Sequence, residues 1–234
     1  MSSTIFLPVL FITLAIIVLC ILLCEIKIFY AAQKFSESHS NNSSEIPRLC
    51  FFIFKRFADI VISLLVCICI LPLMYLVLTP MIKLSSKGPV IYKQKRVGLF
   101  GKEFICYKFR SMHLNNDPSM AKIGDKRITS VGRWMRKTHI DEFAQFYNVL
   151  KGDMSLVGPR PYQKTELDKY ASFKAYQNRL SVRPGITGLA QINSPRTLTK
   201  ARVLELDLKY LEKMSFKKDI FIFFETLKFK DLSY

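Results

Sequence analysis

Two long apolar runs dominate the first third of the chain, and shorter alternating or helical patterns fill the rest. From Ile5 to Cys24 no side chain is charged. About 20 residues at ~1.5 Å each reach the ~30 Å of a bilayer's hydrocarbon core, so this run predicts a transmembrane helix. It has no Lys or Arg before it, is too long for a signal peptide's apolar part and is followed by no small-residue cleavage site, which favours a retained span. Ser36 to Pro47 is a polar linker. The second apolar run, Phe57 to Ile82, contains Pro72 near its middle, where a missing N–H and a ring clash kink a helix. Past Ile82, Val90–Lys93 and Phe104–Phe109 alternate like strands and meet through Gly98 and Gly101, predicting a hairpin. Met112–Asp125 reads as a loop. Trp134–Leu150 is helical in pattern, with Thr138 and Asp141 at the spacing of a capping box. Gly158-Pro159-Arg160-Pro161 predicts a stiff turn. Tyr170–Leu180 and Val203–Met214 read as amphipathic helices on either side of a loop with Pro184, Gly185, Gly188 and Pro195. A last helical stripe places Phe216, Ile220, Phe223, Phe224 and Leu227 together, with Lys217, Lys218 and Lys228 elsewhere; it suits either a core or a bilayer's headgroup region.

Charge follows the same partition. The chain carries 35 Lys and Arg against 18 Asp and Glu, a net +17, yet half its residues are hydrophobic. Residues 1–82 hold 5 basic and 4 acidic side chains, residues 83–234 hold 30 and 14, so the two parts carry +1 and +16. A disordered basic tail lacks large apolar residues and is excluded. A membrane-embedded third joined to a basic domain, large enough to bury its own core, fits. Lys27 and Lys34 follow the first span and no basic residue precedes it, which places Met1 outside and the remainder in the cytoplasm. The second run has Lys55 and Arg56 before it and Lys83, Lys87, Lys93, Lys95 and Arg96 after it. A straight crossing would strand one cluster and the basic domain outside, whereas a helix that bends at Leu71-Pro72 and returns keeps both on one side. An ordinary second span with a tolerated proline is the alternative that charge and periodicity leave open. Of six cysteines, Cys20, Cys24, Cys67 and Cys69 lie in apolar runs, Cys50 just before one and Cys106 in a strand-like segment. With no C-x-x-C pair, buried free thiols are expected and neither zinc nor disulfides.

The sequence lacks a G-x-x-x-x-G-K-[ST] loop, an Asp-x-Asp pair and a G-x-S-x-G elbow, and His39, His113 and His139 are not spaced for a metal. What remains is a pair of carboxylates among cations: Asp141 and Glu142, a few positions from Arg133, Arg136 and Lys137. In one reading Asp141 completes the capping box and Glu142 is a solvated acid. In the other, a helix start and several arginines bind phosphate, the acids hold Mg²⁺, and a carboxylate attacks phosphorus. The +16 charge also admits a membrane-tethered protein that binds anionic lipid or nucleic acid without catalysis. Nucleic acid fits least, because the arginines are interleaved with glycines, prolines and acids and no nucleic-acid module is present.

The order Gln94, Arg96, Gly98, then Tyr107-Lys108-Phe109-Arg110-Ser111-Met112, Asp125, Arg127-Ile128-Thr129, Gly132-Arg133, Arg136-Lys137 and Asp141-Glu142 resembles the bacterial sugar transferase family, the monotopic phosphoglycosyl transferases. The resemblance continues through Gln145, Asn148-Val149-Leu150, Gly152 to Pro161 and Pro184 to Gln191, and covers roughly Phe54 to Glu225. It implies an α+β membrane protein, mostly helical. Its parts are an N-terminal transmembrane helix (1–30), a polar linker (31–50), a re-entrant membrane helix bent at Pro72 (51–83) and a cytoplasmic catalytic domain (84–234) with a small β-hairpin and amphipathic interfacial helices. The implied reaction moves a phosphosugar from a UDP-sugar to undecaprenyl phosphate in a bacterium's inner membrane, on its cytoplasmic face, and releases UMP. This would initiate synthesis of a surface glycan such as O-antigen, capsule, exopolysaccharide or a glycoprotein glycan, with downstream glycosyltransferases and membrane lipid as partners; a homodimer is left open. By carry-over, Asp141 is the nucleophile that forms an aspartyl phosphosugar, and Glu142 with Asp141 holds Mg²⁺. Arg136 and Arg160 would bind substrate phosphate, with Lys108, Arg110 and Arg133 in the same group, and Asp207, Asp219 and Gln191 match later family positions. Phe143-Ala144 replaces the family's usual Leu-Pro, Ser194-Pro195-Arg196 replaces a Gly-Arg, and the Ile5–Cys24 helix is additional to the family core.

Overall fold

The computed structural model describes residues 19–21, 23–31, 34, 45–114, 125–168, 174–193 and 199–228; most of the Ile5–Cys24 span, the 36–44 linker and much of the Met112–Asp125 loop lie outside them. Residues 1–58 and 59–234 form two compact units. In the first, residues 23–31 are helical and meet the opening of helix α1 (Glu45–Leu65). Phe29 is buried with its ring 5.6 Å from that of Phe52. One helical turn away on both segments, Glu25 pairs with Arg56 at 3.6 Å, both buried. Thus α1 takes in residues 45–50, which the sequence pattern gives to the linker.

Helix α1 passes through a π-helical turn, Val66–Ile70, into α2 (Leu71–Ser85). Pro72 lies in the first turn of α2, where its missing N–H is tolerated. Leu49–Ser85 spans 37 residues, with an 18-residue stretch of mean hydropathy 2.9 that is 6% buried inside the protein. It is long and apolar enough to cross a membrane. From Asp59 onward this region belongs to the second unit and packs within it. Asp59 Oδ1 accepts from the Leu156 N–H at 3.0 Å, and Val66 enters a core with Phe104, Phe146, Val149 and Met154. Leu78 and Ile82 of α2 pack into another with Val90, Phe109 and Met135. Arg110 then closes the end of α2, donating to the carbonyls of Ser86 at 2.7 Å and Lys87 at 2.8 Å. The six cysteines are free, but only Cys106 is buried; Cys20, Cys24, Cys50 and Cys69 are exposed on the protein's own surface. The expectation of buried thiols fails there because the apolar helices carrying them are not covered by protein.

Strands β1 (Ile91–Val97) and β2 (Glu103–Phe109) form the antiparallel hairpin, in register from Ile91 opposite Phe109 to Val97 opposite Glu103. The first strand runs four residues beyond its predicted end at Lys93, because Gln94, Lys95 and Arg96 pair across to β2 despite their polarity. The far edge of β2 is completed by a side chain. Asn148, fully buried on α4 (Gln145–Lys151), accepts from Tyr107 N–H at 3.0 Å and donates to Ile105 C=O at 2.6 Å. A second, parallel pair joins β3 (Ser155–Val157) to β4 (Gly185–Thr187). It brings Gly158 against Gly185 so closely that a Cβ on Gly185 would lie 2.1 Å from the Gly158 nitrogen.

A short helix, α5 (Lys164–Asp168), precedes the predicted Tyr170–Leu180 helix; the described part of that helix is α6 (Lys174–Asn178) followed by a 3₁₀ turn, Arg179–Ser181, and residues 170–173 lie outside the described residues. After α7 (Leu189–Ile192), α8 (Lys200–Glu212) buries Tyr210, which donates to Asp219 Oδ1 at 2.7 Å. Asp219 belongs to α9 (Phe216–Leu227), which buries Ile222 and leaves Phe216, Ile220, Phe221, Phe224 and Leu227 exposed. The Phe stripe is therefore split, with the larger share facing outward. Replacing Asn148 by Ala would leave the Tyr107 N–H and Ile105 C=O without partners, which costs on the order of 2–4 kcal/mol. Thermal unfolding of Asn148→Ala in detergent is expected to show a lower Tm, with Asn148→Asp between it and the parent because it restores only the acceptor.

Candidate active site

The acid pair reaches the interior through a broken helix. Helix α3 (Ser130–Lys137) begins at Thr129, whose Oγ1 accepts from Gly132 N–H at 2.9 Å. It ends at Thr138, whose hydroxyl donates back to Trp134 C=O at 3.0 Å and Met135 C=O at 3.2 Å. Thr138 thus closes the helix behind it and forms no capping box with Asp141. His139 follows in the left-handed region (φ 57°, ψ 13°), then a 3₁₀ turn, Ile140–Glu142, and α4. The single helix expected over Trp134–Leu150 is broken because His139 reverses the backbone. Phe143 and Ala144 fill the gap between the 3₁₀ turn and α4, with Ala144 buried.

That break places Asp141 and Glu142 in unequal surroundings. Lys108, on β2, donates to Glu142 Oε1 in an ion pair. Asp141 is 7% exposed and has no ion-pair partner among the described residues. Burial and the neighbouring Glu142 push the Asp141 carboxyl above the usual carboxylate range, against the pull of Lys108 and Arg136. Burial also opposes ionisation of Glu142, but Lys108 and Arg160 outweigh it and hold its carboxyl low. Arg136 is aimed by Ser111, whose hydroxyl accepts from its Nε at 2.7 Å. Helix α3 lies directly on that segment, since a Cβ on Gly132 would come within 1.9 Å of the Ser111 carbonyl oxygen.

Beside Glu142 opens a small, partly open cavity lined by Arg96, Cys106, Lys108, Glu142, Gln145, Arg160, Pro161, Gly185, Ile186 and Gln191. The predicted stiff turn forms part of one wall, and three of its carbonyls and that of the next residue, Tyr162, are held from four places. Pro159 C=O accepts from Gly185 N–H at 2.9 Å, Arg160 C=O from Arg179 Nη2 at 2.9 Å, Pro161 C=O from Arg96 Nη1 at 3.0 Å and Tyr162 C=O from Val97 N–H at 2.8 Å. Arg179 is itself fixed by Asp207 at 2.6 Å, both nearly inaccessible, and lies 3.8 Å above the Tyr162 ring.

The structure thus gathers Asp141, Glu142, Lys108, Arg136, Arg160 and Gln191 around one place. Gln191 Nε2 donates to Ile186 C=O at 3.0 Å on the cavity wall. Asp207 stands behind the turn and Asp219 beside Tyr210. Arg110 is engaged at the end of α2, and Arg133 is exposed on α3. Arg96, Arg179, Gln145 and Asn148 carry no role in the sequence reading. The partners of Arg179 and Asn148 lie 28 and about 41–43 positions away, beyond any local pattern. The adjacent carboxylates offer the oxygen donors that a hard divalent cation takes.

A model of the family described as bacterial sugar transferase matches residues 50–230, which include the acid pair, the cavity and the apolar helix. The chain belongs to the bacterial sugar transferase family. Relatives include a UDP-glucose:undecaprenyl-phosphate glucose-1-phosphate transferase of Klebsiella pneumoniae, 45% identical over 75% of this chain and 39% of that protein. A UDP-N-acetylgalactosamine-undecaprenyl-phosphate N-acetylgalactosaminephosphotransferase of Aeromonas hydrophila is 40% identical over 83% of this chain and 48% of its own. A third, a UDP-glucose:undecaprenyl-phosphate glucose-1-phosphate transferase of Caulobacter vibrioides, is 39% identical over 78% and 71%. The chain spans less than half the length of the first two. Within this bacterial sugar transferase, the left-handed His139 sets the direction in which Asp141 enters. A β-branched residue there costs about 1–2 kcal/mol and glycine relieves the strain. His139→Val is expected to lower both Tm and turnover, and His139→Gly to keep the fold, as read by thermal unfolding.

Proposed function

We propose that the protein transfers a phosphosugar from a UDP-sugar to undecaprenyl phosphate at the cytoplasmic membrane face and releases UMP. The observation that carries this is the inequality of the acid pair: Glu142 is neutralised by Lys108, while buried Asp141 has no ion-pair partner among the described residues. A desolvated carboxylate without a counter-ion is the more nucleophilic of the two. Its oxygen attacks the sugar-bearing β-phosphorus as the bond to the α,β-bridging oxygen breaks, and UMP leaves with that oxygen and its electron pair. An oxygen of undecaprenyl phosphate then attacks the same phosphorus and displaces Asp141, so one site serves a soluble donor and a lipid acceptor in turn. Arg136, Arg160 and Lys108 neutralise phosphate oxygens, the main demand of phosphoryl transfer. The curated relatives are named for reactions of this kind with glucose, N-acetylgalactosamine or galactose phosphates.

Mg²⁺ fits the donor set. It binds through one or two carboxylates and completes its shell with water and substrate phosphates, so Asp141 and Glu142 suffice without a larger cluster. When bound it would neutralise charge on the diphosphate.

A re-entrant course for the apolar helix completes the reading. Thirty-seven residues would reach about 55 Å if straight, nearly twice the ~30 Å hydrocarbon core. Asp59, Val66 and Ile82 all contact the basic part of the chain, so the run is held against it before, at and after the π-helical turn. The π-helical turn before Pro72 is the natural site of a bend. The exposed Phe face of α9 would then lie at the headgroups of the inner membrane.

The test is UMP release by the full chain in detergent, with undecaprenyl phosphate, Mg²⁺ and a panel of UDP-sugars. The parent is expected to release UMP with at least one sugar. Chelation of divalent cations and Asp141→Asn are each expected to lower the rate by at least about 10³-fold, the scale on which loss of a covalent nucleophile is felt. Silence of the parent across a broad panel, or full activity of Asp141→Asn, would contradict the reading.

A further inference from the structure

The cavity beside Glu142 contains a buried arginine to which the proposed reaction has so far given no part. Arg96 lies near the end of β1 with its side chain 10% exposed. Its Nε and Nη2 donate to Gln94 Oε1 at 3.1 and 2.6 Å, and its Nη1 donates to Pro161 C=O at 3.0 Å. The nearest acid, Glu166, stands 3.9 Å away. A guanidinium has five N–H groups, so these bonds leave one on each terminal nitrogen. Arg160 lines the same cavity, and among the described residues its guanidinium makes no hydrogen bond or ion pair. Burial, and then the charge of Arg160 on the same cavity wall, lower the pKa of Arg96. A buried and a half-buried guanidinium with unused N–H groups are stable together when an anion sits between them, and their forks suit phosphate oxygens.

The cationic groups do not all face the cavity: Arg160 and Lys108 line it together with Glu142, and Arg136 and Asp141 do not. In-line displacement sends the leaving group away from the nucleophile. With Asp141 attacking, the leaving phosphate departs on the side opposite that oxygen. We infer that Arg96 and Arg160 form a phosphate subsite on the Glu142 side, which holds the phosphate of the nucleoside monophosphate as it leaves. As the Asp141–phosphorus bond forms and the bond to the bridging oxygen breaks, the negative charge growing on that oxygen is met by N–H groups of the two arginines, and no proton need move. Release of the nucleotide then clears the cavity while the phosphosugar stays on Asp141. This subsite rests on the reaction proposed above.

The experiment compares UMP with uridine, which differs only by the phosphate, using the full chain in detergent. Arg96→Met is expected to weaken UMP binding on the order of tenfold, the worth of one charge-assisted contact, and to leave uridine binding unchanged. The KM for the UDP-sugar rises and that for undecaprenyl phosphate does not. Arg96→Lys keeps the charge and a donor for Pro161 but loses the fork; a severalfold loss for UMP alone is expected, and this variant carries the comparison if Arg96→Met does not fold. If Arg96 only supports the turn, its variants weaken UMP and uridine equally and shift Tm with them, which overturns the subsite. If the parent turns over but the UMP-to-uridine ratio is unchanged in Arg96→Met, the subsite falls and the reaction stands. A parent that neither binds UMP nor releases it overturns the reaction itself.

Discussion

Two carboxylates adjacent in sequence and withdrawn from water repel each other, and a fold that keeps them must balance one without silencing the other. Here a single lysine does this, and much of the architecture serves to aim it. Lys108 reaches Glu142 because β2 runs in register against β1 on one edge and is bracketed by Asn148 on the other. Glu142 is there to be reached because His139 turns the chain through the left-handed region, and because Gly132 lets α3 rest on the Ser111 backbone. Buried pairs of this kind are costly to half-remove, since the survivor is left charged and unpaired.

The opposite wall follows a similar rule with different materials. The Gly158–Pro161 turn contains two prolines and so lacks two donors of its own. Its fixed course comes from outside, with successive carbonyls held by Gly185, Arg179, Arg96 and Val97. Arg179 can do this because Asp207 balances its charge in a nearly waterless spot and the Tyr162 ring lies across its plane. The result is a turn fixed from several sides whose Arg160 lines the cavity. The basic charge of the domain, +16 over residues 83–234, is therefore partly structural and partly aimed at the cavity.

What the sequence revealed depended on the range of each signal. The apolar run through Pro72, the hairpin and the acid pair among arginines are local patterns, and each has a counterpart in the structure. The capping-box spacing of Thr138 and Asp141 misled because Thr138 had a competing use, bonding back to its own helix. Arg110, grouped by its motif with the phosphate binders, closes the end of α2. Strands β3 and β4 are three residues each and flanked by glycine and proline, too short to show a period. Arg179 and Asn148 act on residues far along the chain, so no spacing announces them. Membership of the bacterial sugar transferase family connects these separate pieces, since its matched region runs through all of them.

The central claim is that Asp141 bonds covalently to the transferred group before any lipid takes part. Intact mass measurement of the full chain after incubation with the accepted UDP-sugar and Mg²⁺, without undecaprenyl phosphate, tests it most directly. The account predicts one added phosphosugar per chain, matched by one equivalent of UMP and discharged when the lipid phosphate is supplied. An unmodified chain that releases UMP only when donor and lipid are present together would contradict it, because the lipid would then be attacking the donor directly.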